Sequence, residues 1–236
     1  MKTKYLVGVA CCLFASSTLA QDKSPWAAEA EFGWVQTSGN TDTQTGKAKG
    51  KLTYTQTKWQ NIASAEALNT KDKSSTTAER YKLKDQLRYD MAKDRYLYAI
   101  VTYEDDRFSG YDYRATESLG YGAKLINDPG FLLEVEGGPG ARQSKLDNGD
   151  TESEGLVRLS GNLNWQLSEA AKLGQELTTE VGDEATITES VTSLQSQVNH
   201  SLAMKMSYTV KHTSDVPDGV KKTDRESTVT LVYSFK

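Results

Sequence analysis

A chain of 236 residues with 28 basic and 32 acidic side chains carries a net charge of −4, and its mean hydropathy is −0.61. That balance excludes a nucleic-acid partner, which needs a basic face. It also leaves no stretch after residue 20 apolar enough to cross a membrane as a helix, so a membrane protein of this kind is a barrel, whose strands need only one apolar face each.

The first twenty residues read as a cleaved secretory signal. Lys2 and Lys4 precede an apolar run from Tyr5 to Leu19, and Thr18-Leu19-Ala20 supplies small residues before polar Gln21-Asp22-Lys23. The run is too short for a membrane anchor. Gly8-Val9-Ala10 before Cys11 lacks the large aliphatic residue of a lipid-attachment site. Cys11 and Cys12 both fall inside the signal, so the expected mature domain, 21–236, has neither disulfides nor thiolate metal ligands. Without Lys2 and Lys4, 26 basic residues face 32 acidic ones, a net charge of −6.

From there the chain alternates with a period of two, the signature of a strand. Trp26, Ala28, Ala30, Phe32 and Trp34 oppose Glu29, Glu31 and Gly33; Ala48, Leu52 and Tyr54 oppose Lys47, Lys49 and Lys51. Between Arg80 and Met91, Tyr81, Leu83, Leu87, Tyr89 and Met91 oppose Arg80, Lys82, Lys84, Gln86, Arg88 and Asp90, and only Asp85 breaks the pattern. The same reading holds for Val157 to Leu167, Leu202 to Val210 and Val229 to Phe235. The pattern predicts about 12 strands: 26–36, 43–57, 59–70, 77–91, 95–107, 113–126, 131–143, 153–167, 171–181, 187–199, 201–212 and 223–235. Ile187 to Asn199 alternates least clearly. Short turns (Lys58, Ala92–Asp94, Asn127–Gly130, Ser168–Ala170) take turns with longer polar segments, as in an outer-membrane barrel with both ends periplasmic. The expected fold class is all-β: a single antiparallel, up-and-down transmembrane β-barrel.

A soluble, lipocalin-like barrel would alternate as well. The aromatic residues favour the membrane. Trp26, Trp59, Tyr89, Phe131, Trp165, Tyr233 and Phe235 cluster at the proposed periplasmic end, and Trp34, Tyr81, Tyr103, Phe108 and Tyr113 at the other, as two interfacial belts require. The final strand, Val229 to Phe235, alternates and finishes on an aromatic residue, with Lys236 after it.

Four pieces of the chain also resemble a known group. The stretch Gly33-Trp34-Val35-Gln36-Thr37-Ser38-Gly39-Asn40-Thr41-Asp42-Thr43 looks like the opening hairpin of the YdiY-like family, described as salt-induced outer-membrane proteins. Asp105 to Arg114, Gly137 to Arg142, and Lys222-Thr223-Asp224 leading into Val232-Tyr233-Ser234-Phe235 are similar to its later segments. The resemblance spans essentially the whole mature chain. It implies fold and location, and brings no catalytic or binding residue with it.

Chemistry has few carriers. There are two histidines. His200 adjoins Ser201, but neighbours in a strand face opposite ways; His212 and Ser214 could share a face, as a lipid hydrolase would need. Asp105-Asp106 and the Asp147, Asp150, Glu152 group lie at loop ends, where solvation or ion bridging to lipopolysaccharide is expected. No spacing matches a calcium loop, zinc site or phosphate loop, and no cofactor is expected. Expected partners are outer-membrane lipid and lipopolysaccharide, with periplasmic chaperones and the barrel-assembly machinery during biogenesis.

The inward charges carry the most information. Lys47, Lys49 and Lys51 share one face, Arg80, Lys82, Lys84 and Arg88 another, and Glu134, Glu136, Glu176 and Glu180 lie further along. One basic and one acidic wall would set a field across the lumen; alternatively the charges pair and hold the barrel shut. The expected function is non-enzymatic: an outer-membrane barrel with a structural or a salt- or envelope-stress-related role, which could form a narrow pore. A channel for small polar or charged solutes, a lipid hydrolase and a soluble ligand binder are the alternatives.

Overall fold

A computed structural model describes residues 24–37, 43–72, 75–217 and 219–235. The expected signal segment 1–20, with Cys11 and Cys12, lies outside them, as do Ser38–Asp42 and Lys236. The alternating segments form twelve strands: β1 (Trp26–Thr37), β2 (Thr43–Gln56), β3 (Trp59–Asp72), β4 (Ser75–Ala92), β5 (Arg95–Asp106), β6 (Tyr111–Asp128), β7 (Phe131–Leu146), β8 (Thr151–Gln166), β9 (Ala171–Gly182), β10 (Thr186–Gln197), β11 (Leu202–Thr213) and β12 (Thr223–Phe235). Each pairs antiparallel with the next, and β1 pairs with β12 from Ala28↔Phe235 to Phe32↔Leu231, closing the barrel. Closure gives every strand edge a partner, which a sheet in lipid requires. The boundaries expected from the pattern differ from these by at most three residues. The largest extension is at Leu146, where the hairpin continues into polar residues that carry no alternation signal.

The barrel is apolar outside and polar inside. Phe32, Trp34, Leu83, Leu119, Leu159 and Leu231 are exposed on the outer surface, while Glu104, Glu136, Arg142 and Arg158 are buried. A soluble barrel would show the reverse. Aromatic pairs ring the end that carries the chain termini: Trp26–Tyr54, Trp59–Tyr89, Phe131–Trp165 and Tyr233–Phe235, with centroids 4.5–6.0 Å apart. At the loop end Tyr103 stacks on Tyr113, and Trp34, Tyr81 and Phe108 are exposed. Two belts with an apolar band between them match a membrane's two interfaces.

Asp85 is a true exception on this band. It points outward, where Asn61 donates to its carboxylate at 3.0 Å. Asp85 and Glu117 both pair with Val101, one from each side, and both are exposed. Each lies four residues from a tyrosine toward either end (Tyr81 and Tyr89; Tyr113 and Tyr121), midway between the belts. The weak alternation of β10 has a cause too. Its outward residues Thr188, Ser190 and Thr192 satisfy one another's needs through β9: the Gln175 amide donates to Ser190 Oγ at 3.0 Å, Thr192 donates to Gln175 Oε1 at 2.6 Å, and Thr179 and Thr188 hydroxyls meet at 3.3 Å.

The cross-section is flattened. Twelve strands at about 4.8 Å spacing and about 40° tilt would make a circle about 24 Å across. That exceeds the joint reach of a lysine and a glutamate, yet such pairs meet between β4 and β10 and between β5 and β11, strands six places apart. Glycine lets two neighbouring strands approach closely at one level. A Cβ on Gly138 would lie 2.1 Å from the Leu119 carbonyl oxygen, and one on Gly120 would lie 2.3 Å from that of Gly137, so β6 and β7 approach there only because both residues lack side chains.

Candidate functional site

The lumen places the eleven inward charges singled out in the sequence, and adds as many partners again. Glu66 on β3 stands between the basic faces of β2 and β4. It meets Lys47 at 3.4 Å, Lys49 at 3.8 Å and Arg80 at 3.1 Å. Glu226 on β12 completes the group, with Lys47 and Arg80 each at 2.7 Å. The basic stretch is thus neutralised from within and is not left facing a distant acidic wall. Lys51 meets Glu29 at 3.9 Å near the terminal end, where both are 44% exposed.

Two ion pairs cross the whole lumen. Lys82 donates to Glu189 at 3.0 Å, from β4 to β10, and Lys211 donates to Glu104, from β11 to β5. Lys82 also approaches Glu104 at 3.7 Å, which joins the two bridges into one transverse layer. Further toward the loops, Arg142 is 2% exposed and is held by Glu154 at 2.6 Å, Glu180 at 3.4 Å and the Ala185 carbonyl at 2.5 Å. Glu154 in turn accepts from the Glu184 backbone N–H at 2.8 Å, so the β9–β10 turn is drawn into this knot. Above it the loop between β11 and β12 reaches over the mouth. A Cβ on Gly110, in the β5–β6 turn opposite, would lie 2.9 Å from Pro217 Cγ and 3.1 Å from Val220 Cγ2. Gly110 has φ 80°, a left-handed turn position that suits glycine.

Toward the terminal end the charges gather on one wall. Arg88 meets Glu134 at 3.4 Å and Glu136 at 2.9 Å, and Arg158 meets Glu136 at 3.0 Å. The Gln86 amide and the Tyr96 hydroxyl also donate to Glu136, at 2.8 and 3.0 Å. Tyr96 is fully buried: its ring lies against Gly122 and under the Arg88 guanidinium. Tyr98 and Ile100 extend this inward apolar strip. Opposite, Lys205 meets Glu31 at 3.0 Å.

Among the described residues, two adjoining cavities lie in the lumen. One of about 90 Å³ sits beside the transverse layer, lined by Lys82, Glu104, Glu189 and Lys211. The other, of about 200 Å³, lies on the terminal side, between the Arg88 cluster and Lys205. Lys84, Arg158 and Thr178 line both, so the cavities adjoin there. Glu176 lines the larger one and Glu180 the smaller.

The inward partners missed in the sequence, among them Glu66, Glu104, Arg142, Arg158, Glu189, Lys211 and Glu226, lie at the same alternating parity as the residues singled out. That parity could have found them; their pairing could not be read without the closed, flattened barrel. The histidines stand apart from any serine partnership. His212 Nδ1 lies 2.8 Å from Thr223 Oγ1, and Ser214 Oγ accepts from the Thr186 N–H at 2.9 Å. His200 is exposed in the β10–β11 turn. Asp106 accepts from the Phe108 N–H at 3.2 Å and Asp150 from the Asn148 amide at 2.8 Å, so these acids shape loop turns.

Comparison with known proteins places this geometry. A family model described as "Protein of unknown function, DUF481" matches residues 30–235. The Escherichia coli K12 "Uncharacterized protein YdiY" is 29% identical over 219 residues, which cover 92% of this chain and 86% of that one. Among solved structures, an outer membrane channel from Pseudomonas putida F1 superposes with a TM-score of 0.55 at 11% identity, over 92% of this chain and 97% of the other. The NanC porin gives 0.53 at 11% identity (89% and 99%). The translocator domain of the autotransporter NalP from Neisseria meningitidis gives 0.53 at 15% identity (89% and 87%). At such identities the likeness is one of fold, that of outer-membrane barrels.

Proposed function

The chain belongs to the DUF481 family of proteins of unknown function, and we propose that it is an outer-membrane barrel forming a narrow pore for small charged or polar solutes, held closed by ion pairs that cross its passage. The observation that carries this reading is the transverse layer. Lys82–Glu189 and Lys211–Glu104 join opposite walls with cavities beside and below them. Paired charges fill a lumen at a desolvation cost that packed apolar side chains would avoid. Lysine and glutamate are long, flexible and hydrated once apart, so a pair between opposite walls can open without moving a strand. The apolar band and its two aromatic belts support the membrane location, with the chain termini on the periplasmic side.

This reading is non-enzymatic, and it treats His212 and Ser214 as loop-end residues. A purely structural barrel is the second reading, favoured by the Arg142 knot, which fixes the β9–β10 turn and needs no opening. Planar-bilayer recording of the refolded protein separates the two. The pore reading expects small unitary steps with long closed periods. Absence of steps at any voltage would leave the structural reading. Recovery of the native protein in the soluble periplasmic fraction would remove both.

A further inference from the structure

We propose that the larger lumen cavity binds a small zwitterion, with its anionic group on Lys84 and its ammonium group on Glu176. The inference rests on the pore reading only for its physiological meaning; the site itself rests on the geometry below. Eleven charged side chains line this cavity. Nine of them make ion pairs, including Arg88 with Glu134 and Glu136, Arg158 with Glu136, and Lys205 with Glu31. Among the described residues Lys84 and Glu176 make none. The remainder is therefore one cation and one anion in the same cavity of about 200 Å³.

Their placement repeats the layer beside them. Lys84 follows Lys82 on β4, one inward position nearer the terminal end. Glu176 on β9 pairs with Val191, and so lies one inward position nearer that end than Glu189 on β10. At the level of Lys82 the two walls meet in a direct ion pair at 3.0 Å. At the level of Lys84 the same lysine-to-glutamate arrangement stands open. A solute carrying both charges would restore two charge-assisted contacts that the open gap lacks. A simple anion would leave Glu176 unpaired and would meet the carboxylates of Glu134 and Glu136; a simple cation would leave Lys84 unpaired beside Arg158. The adjoining Thr178, shared by both cavities, adds a hydroxyl at the junction. A bound zwitterion would sit directly below the transverse layer, in the path a permeating solute takes.

The test uses the refolded chain in detergent micelles, titrated with glycine, β-alanine and 4-aminobutyrate and followed by calorimetry, with acetate and methylammonium as single-charge controls. The expected result is saturable binding of at least one amino acid of the series, the best fixing the charge separation, and controls weaker by about tenfold or more. Lys84→Gln and Glu176→Gln should each weaken it by about tenfold, and the exchange of both, Lys84→Glu with Glu176→Lys, should restore it in the reversed orientation. Acetate binding as tightly as the amino acids, no binding by any of them, or undiminished binding in both single variants would overturn the proposal. Bilayer conductance reports separately: steps without amino-acid binding would sink the site and leave the pore, and binding without steps would do the opposite.

Discussion

The two halves of the lumen handle charge in opposite ways. In the loop half ion pairs bridge the walls or fix a turn: Arg142 has two carboxylates and a carbonyl, and Lys82 and Lys211 reach Glu189 and Glu104 on opposite walls. In the terminal half the ion pairs keep to one wall or the other or lie near the mouth, and Lys84 and Glu176 are left to the cavity. The difference follows from what each charge faces. A charge that loses its hydration must regain it from partners, because an unpaired buried charge costs several kcal/mol. Lys84 and Glu176 instead face the cavity of about 200 Å³, where water or a polar solute can take a partner's place. On the proposed pore reading, the transverse layer is the closure that opens and the terminal cavity lies below it.

Breaking single charges should expose this contrast. Arg142→Leu strands the buried Glu154 and the half-buried Glu180 and should cost about 3–5 kcal/mol, measurable as a lower midpoint of urea unfolding in lipid vesicles. A loss under about 1 kcal/mol would mean that water reaches the knot. Lys205→Leu, which removes the partner of Glu31, should cost less, about 1–2 kcal/mol, since this pair is less buried than the Arg142 cluster and the Thr230 hydroxyl still donates to Glu31. On the outer surface the sign reverses. Glu117→Leu removes a carboxylate from the middle of the apolar band and should stabilise the barrel in vesicles by about 1 kcal/mol. Destabilisation there would show that Glu117 has a partner in the membrane. Lys51→Leu should come last, within about 0.5 kcal/mol of the native protein, because its pair with Glu29 is largely solvated.

Much of this was legible in the residues themselves. Alternation fixes parity, so Lys47, Arg80, Lys82 and Glu136 were bound to face the side opposite Trp34, Tyr81 and Leu83. Tyr89 and Trp165 marked one end, and Tyr81 and Tyr103 the other. Strand β5 was harder to read: Tyr96, Tyr98 and Ile100 point inward while Leu97 and Val101 point out, so apolarity on both faces hides the parity. Charge partners were out of reach for a different reason. Lys82 and Glu189 are 107 residues apart, and they meet only because the barrel closes at twelve strands and flattens. Gly120 and Gly138 carry no sign in the sequence of which backbone approaches them.

The most direct test of a pore closed by transverse ion pairs is to neutralise the layer and record conductance. A variant carrying Lys82→Gln, Glu104→Gln, Glu189→Gln and Lys211→Gln keeps a polar, hydrogen-bonding side chain at each position and removes the charges that join the walls. In planar bilayers its unitary conductance or open fraction should rise several-fold over that of the native protein. A folded variant with the native's conductance would contradict the account, since closure would then lie elsewhere than in the pairs that span the lumen.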